Sequence, residues 1–202
     1  MKKTPIFEEV FHRLLAEPGF WLKLLIGGLL SFVPVANIFA FGYLYRFSVN
    51  TRRSGALRLP AWDDWKGLFV DGLKFAVVWI AYWLLPILIV MGISGLLGMI
   101  GLGAMSYILI SLTFLFSPVI FSSALYRLQM RADFKDLLDV VLIIRMTYSE
   151  ARHFAIPAFV FMGIFALALP IYGFALFFGF LILIAYTSIC YRSIENASRM
   201  VI

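Results

Sequence analysis

Long apolar stretches alternate with short polar segments along this chain of 202 residues. Three stretches contain no Asp, Glu, Lys, Arg or His: residues 24–45, 75–126 and 154–191, which are 22, 52 and 38 residues long. A helix needs about 20 apolar residues to cross the hydrocarbon core of a bilayer. The pattern therefore predicts an all-α, polytopic integral membrane protein.

Each apolar stretch carries turn-forming residues near its middle. They are Pro34 and Asn37 in the first stretch, Gly92, Gly95, Gly98, Gly101 and Gly103 in the second, and Pro170 and Gly173 in the third. Since Pro and Gly interrupt helices, the stretches are predicted to fold as helical hairpins at about 24–45, 75–126 and 154–191. Residues 24–33 reach only about 15 Å as a helix, half the hydrocarbon thickness, so the first hairpin is predicted to be re-entrant. The glycines of the second stretch are also expected to allow close helix packing.

Composition and charge placement support this class and give it an orientation. The chain is 63% hydrophobic and 14% charged, with a net charge of +6, whereas a soluble domain is about 25% charged. All 17 Lys and Arg residues lie in four polar segments, 1–23, 46–74, 127–153 and 192–202. Basic loops stay cytoplasmic, so these segments and both termini are predicted on that side of a single transmembrane domain, residues 1–202. The positive charge is then a topology signal, and no nucleic-acid partner is expected.

The polar segments are predicted to contain amphipathic helices at the cytoplasmic interface. Residues 4–19, 60–74 and 133–150 carry apolar side chains at helical spacing. Thr4-Pro5 is typical of a helix start, and Asp133 with Asp136 resembles an N-cap followed by an acidic third residue. Segments of this kind insert among lipid headgroups; the alternative is that they bind a partner helix.

Each hairpin ends in a tyrosine followed by an arginine: Tyr45-Arg46, Tyr126-Arg127 and Tyr191-Arg192. Tyrosine anchors at the headgroups, and arginine extends into the cytoplasmic interface. The recurrence indicates either a weak threefold repeat or the usual ending of an inward helix. In both cases the three arginines are candidates for contact with lipid or with a protein partner.

The residue types that catalysis and metal binding require are scattered. His12 and His153 stand in separate polar segments, Cys190 is the only cysteine, and the apolar stretches hold no ionisable Asp, Glu, Lys, Arg or His. A metal site needs clustered ligands, and pumps and intramembrane enzymes usually bury an ionisable group. The sequence therefore predicts no metal, no cofactor and no catalytic constellation, and hence a protein that is not an enzyme.

One polar segment concentrates candidate site residues, with the order Leu-Pro-Ala-Trp-Asp-Asp-Trp at 59–65. Its tryptophans would anchor at the headgroups while the adjacent aspartates face water or cap a helix. Asp71 and Lys74 are three residues apart on one helical face and are predicted to pair. The segment is either an interfacial staple that sets the angle of the next helix, or a site for lipid or a partner. The candidate side chains are Trp62, Asp63, Asp64, Trp65, Asp71 and Lys74, together with Arg46, Arg127 and Arg192.

These residues resemble the signature of a prokaryotic membrane-protein family, domain of unknown function 4013. The resemblance rests on Gly27-Gly28, Pro34, Asn37, Gly42-Tyr43, Arg46, Leu59-Pro60, Trp62-Asp63-Asp64 and Asp71-Gly72-Leu73-Lys74. It is specific over about residues 26–74, and beyond them it is only general hydrophobicity. The resemblance implies a multi-pass protein of the bacterial or archaeal cytoplasmic (inner) membrane and no known activity.

The predicted function is non-catalytic: a small scaffold or accessory subunit that contacts membrane lipid and either copies of itself or a larger membrane complex. One alternative is a small-solute channel or transporter, because broken helix pairs line midplane sites in transporters. Pro34 and Asn37 would then lie at a pore or turn. The other alternative is a lipid-modifying enzyme at the cytoplasmic interface that acts through Asp63, Asp64 or Asp71.

Both termini are expected in the cytoplasm. A reporter that is active only there should therefore work when it is fused at Met1 and at Ile202. As a control, a reporter that requires the periplasm should be active when it is inserted in the glycine-rich turn of the second hairpin. Activity of the periplasmic reporter at either terminus would contradict the three-hairpin topology.

Overall fold

A computed structural model of the chain describes residues 7–131, 133–167 and 171–199. All regular elements in these ranges are helical, and no strand occurs in them. Thr4, Pro5 and Pro170 lie outside the described residues, as does the side chain of His153. The elements are α1 (Phe7–Leu15), α2 (Phe20–Phe32), α3 (Asn37–Ser54), α4 (Trp65–Trp79), a π-helical segment (Ile80–Leu84), α5 (Leu85–Met99), α6 (Gly103–Arg131), a 3-10 helix (Phe134–Leu138), α7 (Val140–Leu167) and α8 (Tyr172–Arg199).

Within the described ranges, three helical segments are long and apolar enough to cross a membrane: Trp65–Met99, Gly103–Met130 and Tyr172–Ser193. A fourth results if α1 and α2, which meet at an angle of 93°, form one broken span. The predicted all-α class with apolar spans is thereby confirmed. The re-entrant first hairpin and the interfacial placement of the polar segments stay predictions.

Helix breaks occur at the predicted turns of the first two hairpins. Residues 33–36 separate α2 from α3, and residues 100–102 separate α5 from α6. Gly101 has a φ of +80°, a left-handed conformation that residues with a Cβ rarely adopt. The expected close packing at the other glycines is wrong for Gly92, Gly95 and Gly98. They lie within α5, and a Cβ at each would meet nothing within 4 Å.

The predicted segment 60–74 is not a separate helix. Residues 55–64 are irregular, and the helix that begins at Trp65 continues through the π-helical segment to Met99. Helical spacing after residue 65 therefore marked the first turns of a span.

The predicted helix start at Asp133 was one element too early. The Asp133 side chain accepts a hydrogen bond from the Lys135 N–H at 2.9 Å and caps only the 3-10 helix. The long helix α7 begins after Asp139, whose side chain accepts from the Leu142 N–H at 3.1 Å. Both aspartates are followed by a helical turn, so the sequence signal at Asp133 was genuine but did not belong to α7.

The chain divides into two compact units, Met1–Ala76 with Gly163–Ile202 and Val77–Met162. This division describes contacts within the chain and does not test the predicted single transmembrane domain, which stays a prediction. In the first unit α8 packs against α2 and α3. A Cβ at Gly27 would lie 2.2 Å from the Phe177 ring, and one at Gly28 would lie 2.2 Å from the Phe174 ring. Only glycine therefore lets these two rings lie directly on the α2 backbone.

Helices α3 and α4 of the first unit meet at backbone distance. A Cβ at Gly42 would lie 1.8 Å from the Leu68 carbonyl oxygen, and a Cβ at Gly72 would lie 1.9 Å from the Ile38 carbonyl oxygen. Each helix thus contributes one glycine to the contact, the arrangement by which small residues let helix backbones approach each other in membranes.

In the second unit α5 packs along α6, and buried hydroxyl groups link the helices. Ser106 donates from its hydroxyl to the Ser94 carbonyl oxygen at 3.1 Å. Thr147 of α7 and Ser123 of α6 are both buried, and their hydroxyl oxygens are 3.0 Å apart. Such bonds satisfy polar groups that no water reaches.

Pro86 accounts for the π-helical segment between α4 and α5. Proline has no N–H to donate to the carbonyl four residues back, and its ring clashes with that carbonyl, here that of Tyr82. The helix widens instead, and the Leu85 N–H bonds to the Ile80 carbonyl, five residues back. The buried Tyr82 hydroxyl donates to the Leu137 carbonyl and so ties this segment to the 3-10 helix.

Alanine at Gly42 is expected to destabilise the protein by about 1–3 kcal/mol, because the added methyl group overlaps the Leu68 carbonyl and the two helices must separate. Gly92→Ala is the matched control, since its methyl group meets nothing within 4 Å. That change should be neutral or stabilising by about 0.5–1 kcal/mol. Thermal unfolding in detergent measures both; equal transition temperatures for the two variants would contradict the close contact.

Candidate functional site

Asp64 fixes the beginning of α4. Its side-chain Oδ1 accepts a hydrogen bond from the Gly67 N–H at 3.0 Å, and its carbonyl accepts from the Leu68 N–H at 2.9 Å. Asp63 supports this turn, because its Oδ1 accepts from the Asp64 N–H at 2.9 Å. Of the two adjacent aspartates, Asp64 is therefore the helix cap, as the sequence allowed.

Arg46 joins two carboxylates that are distant in the sequence. Its Nη2 lies 2.7 Å from Asp64 Oδ2, and its Nε lies 2.9 Å from Asp71 Oδ2. The predicted pair is also present, with Lys74 Nζ 3.0 Å from Asp71 Oδ1. Asp71 thus accepts from two cations, one on each of its oxygens. Arg46, Asp64, Asp71 and Lys74 are called the Arg46 cluster below.

Local sequence makes room for this cluster. A Cβ at residue 67 would lie 1.9 Å from Arg46 Nη2 and 2.2 Å from Asp64 Oδ2, so a larger residue here would displace the two side chains from the contact that they make over the first turn of α4. The Arg46 side chain is 23% exposed and that of Asp71 is 19% exposed. The pair between them is therefore shielded from water more than an ordinary surface salt bridge.

Aromatic rings pack beside the cluster. Trp62 stacks on Tyr43 with ring centroids 4.2 Å apart and planes 16° apart, and Trp65 lies 6.0 Å from Trp62. Lys74 Nζ lies 5.5 Å from the centroid of the Tyr45 ring, within reach of a cation–π contact. Trp62 is largely covered, whereas Trp65 is 45% exposed. Of the two tryptophans, Trp65 is therefore the more exposed.

The charges of the cluster reinforce one another. The Gly67 N–H and then the Arg46 guanidinium hold the pKa of the Asp64 carboxyl below its ordinary value. Burial lowers the pKa of Arg46, but the hydrogen bonds to Asp71 and Asp64 outweigh it and raise that pKa overall. A carboxyl with a lowered pKa contributes stability above its ordinary pKa, and that contribution is lost as the pH falls through the lowered value. The Asp64 carboxylate and the Arg46 guanidinium are therefore both charged at neutral pH.

The two other hairpin-ending arginines also have partners within the chain. Arg127 Nη2 lies 3.6 Å from Asp136 Oδ1, and these side chains are 15% and 16% exposed. Arg192 Nη1 donates to the Arg52 carbonyl at 3.0 Å and to the Arg53 carbonyl, in the last turn of α3. An arginine at this position satisfies carbonyls that the helix end leaves free.

The candidate turn residues lie at the tip of the first hairpin. Pro34 is exposed in the break between α2 and α3, and Asn37 is the first residue of α3. The Asn37 Oδ1 is buried without a hydrogen-bond partner among the described residues. The Asn37 N–H bonds to the Val33 carbonyl at 2.8 Å and closes the turn.

The carboxylates of the Arg46 cluster all take part in ion pairs that connect α3 to α4 or lie within α4. In the described residues no group of three or more His, Cys, Asp and Glu side chains could hold a metal ion.

The sequence pattern identified all four members of the Arg46 cluster but did not show that Arg46 connects them. A signal exists: the order Asp-aromatic-Lys-x-Leu occurs at 64–68 and again at 133–137. Each copy follows a hairpin-ending arginine that pairs with an aspartate of that copy.

A family model described as "Protein of unknown function (DUF4013)" matches residues 26–199. The match extends the resemblance of residues 26–74 across most of the chain. No curated protein and no solved structure matches.

Removing Arg46 is expected to cost more stability than removing Lys74. Arg46→Met leaves the shielded Asp71 and the cap Asp64 without their shared cation and should cost about 2 kcal/mol. Lys74→Met removes a more exposed partner and should cost about 0.5 kcal/mol. Arg58→Met is the control, since Arg58 is exposed and forms no ion pair with any described residue; it should leave the transition temperature in detergent unchanged.

Exchanging the charges of the predicted pair provides a second arm of this test. If Asp71 and Lys74 paired only with each other, Asp71→Lys combined with Lys74→Asp would restore stability. Because Arg46 contacts Asp71, the exchange instead places a lysine beside the guanidinium, and no recovery is expected. Full recovery would contradict the role given to Arg46.

Proposed function

Since the chain belongs to the DUF4013 family of proteins of unknown function, we propose its role from its own geometry: a membrane-embedded, non-catalytic scaffold or accessory subunit. It resides in the cytoplasmic membrane of a bacterium or archaeon with both termini inside. It contacts lipid and either copies of itself or other membrane proteins. The observation that carries the proposal is that Arg46, the centre of the candidate site, binds Asp64 and Asp71 through two of its nitrogens and so holds α3 to α4.

The charged groups of the candidate site support a structural role. An enzyme needs a base or nucleophile that is poised against a substrate rather than neutralised by a fixed partner. Asp71 is paired on both oxygens, and Asp64 holds the first turn of α4 in addition to its contact with Arg46. A lipid-modifying enzyme acting through these carboxylates would have to break the contacts that position its own helix.

The packing of α2 disfavours the transporter alternative. A broken helix that lines a solute path leaves a water-filled space beside the break. Here Phe177 and Phe174 lie on the backbone of Gly27 and Gly28. A Cβ at Gly173 would lie only 2.8 Å from the Gly28 carbonyl oxygen, so α8 also approaches α2 closely at that point. Among the described residues, the buried Asn37 Oδ1 without a hydrogen-bond partner favours a solute site at the hairpin tip.

The exposed surface of the helical segment Trp65–Met99 supports interaction with lipid or other chains. In the apolar window of Trp65–Met99, only 17% of the residues are buried, compared with 78% for Tyr172–Ser193. An apolar helix that is not covered by its own chain must be covered by lipid or by another protein.

Replacing the whole cluster by uncharged residues tests the proposal. A variant with Arg46→Met, Asp64→Asn, Asp71→Leu and Lys74→Met keeps the capping oxygen at residue 64 and replaces the ion pairs by apolar contacts. Such replacements are often neutral within about 1 kcal/mol, so stability should be kept. The variant should also restore the wild-type phenotype when it is expressed in a strain that lacks the gene. A variant that folds but does not restore it would show that the carboxylates act on a ligand. Asp64→Asn alone serves if the combined variant does not fold.

Association with other proteins is tested by photo-crosslinking in native membranes. A photoreactive residue in place of Leu96, which is 65% exposed on α5, should give a discrete adduct with a second copy or another membrane protein. A photoreactive residue in place of Phe177, which is 1% exposed, is the control and should react only within the chain. Adducts with lipid alone at position 96, repeated at neighbouring exposed positions of α5, would contradict the scaffold role.

A further inference from the structure

An apolar groove of about 530 Å³ lies within the second unit. The π-helical segment and α5 form one wall, and the 3-10 helix with the start of α7 forms the other. Its volume falls in the range of about 300–1,000 Å³ that is usual for small-molecule sites. Its walls carry Ala81, Tyr82, Leu85, Leu137, Val140 and Ile144, among other apolar side chains.

The groove depends on the widened helix turn. A π-helical turn adds a residue to the helix and is frequent at functional sites. Here it contributes Ala81 and Tyr82 to the groove wall, and Pro86, which disturbs the helix, is part of the wall as well. A small side chain at residue 81 keeps the space open between the two walls.

The chemistry of the walls selects the class of ligand. Tyr82 carries the only side-chain polar atom among the wall residues, and its hydroxyl is already donated to the Leu137 carbonyl. The groove therefore offers hydrocarbon contact and no free polar side-chain group, and a ligand that needs hydrogen bonds would lose them there. A saturated or unsaturated acyl chain has no such need.

Exposed cations lie on the same two elements that form the second wall of the groove. Lys135 is in the 3-10 helix next to Phe134, and Arg145 follows Ile144 on α7. Both side chains are exposed, and neither forms an ion pair with a described residue. An ammonium and a guanidinium group on the two elements of this wall complement a phosphate that is attached to a hydrocarbon chain.

We propose that the groove is a binding site for one membrane phospholipid, with an acyl chain between Ala81 and Ile144 and the phosphate held by Lys135 and Arg145. The proposal rests on the membrane location given above, but not on the scaffold role. The bound lipid fills the space that the widened helix leaves and stays with the protein, whereas lipid on the open faces of α5 exchanges freely.

Two groove-filling variants and one matched control test this site. Ala81→Phe and Ile144→Trp each fill the groove. Val90→Phe makes a similar change in the neighbouring open groove, of about 430 Å³, which Val90 lines together with Thr113 and Ser117. Native mass spectrometry of the protein purified in mild detergent should find about one retained phospholipid per chain. Retention should fall several-fold in the filled variants and in Lys135→Gln combined with Arg145→Gln, but not in Val90→Phe.

Crosslinking of the unchanged protein provides a measurement that needs no variant. The probe is a phosphatidylcholine with a photoreactive group in one acyl chain, in vesicles of phosphatidylethanolamine and phosphatidylglycerol. Adducts should concentrate in peptides that contain residues 77–89 and 134–144. Uniform labelling of α5 and α6, or retention unchanged in the filled variants, would overturn the groove. Unchanged retention in the Lys135 and Arg145 variant would overturn the phosphate assignment. Failure of the protein to stay in membranes after alkaline extraction would instead contradict the proposed membrane function.

Discussion

The contact on which the candidate site depends is the backbone approach of α3 to α4 at Gly42 and Gly72. A side chain at either glycine would overlap a carbonyl group of the other helix, so the two axes could not come so close. At that separation Arg46 on α3 reaches both the cap and the second carboxylate of α4. The ion pairs therefore follow from the glycines: they are short because the helices touch, and they add specificity to a crossing that packing already defines.

The sequence predicted those parts of the fold that depend on local pattern. The two longer uncharged stretches contain most of the three apolar helices, and the residues around Pro34 and Gly101 located two helix breaks, because chain length and backbone freedom act locally. The Asp71–Lys74 pair was predictable for the same reason, since both residues are on one helix. The rest could not be read from spacing. Arg46 reaches partners 18 and 25 residues away, which requires a helix crossing that only packing determines.

The three hairpin-ending arginines show how one sequence feature acquires different physical uses. Arg46 and Arg127 pair with aspartates of the following segment, and Arg192 binds the end of α3 through backbone carbonyls. Each arginine at the end of an apolar stretch thus pairs with a different acceptor that the fold supplies. The order Asp-aromatic-Lys-x-Leu recurs after two of them, at 64–68 and at 133–137.

The widened turn at Ile80–Leu84 also divides one long span into two halves with different angular registers. In a regular α-helix each residue turns the chain by about 100°, so the extra residue of a π turn shifts every later side chain around the axis by that amount relative to an unbroken helix. Residues of α4 and α5 that appear to lie on one stripe when the sequence is drawn as a single helical wheel therefore lie on different faces. Comparison of this region between family members must allow for a one-residue insertion or deletion here, which would turn the α5 surface without changing its composition.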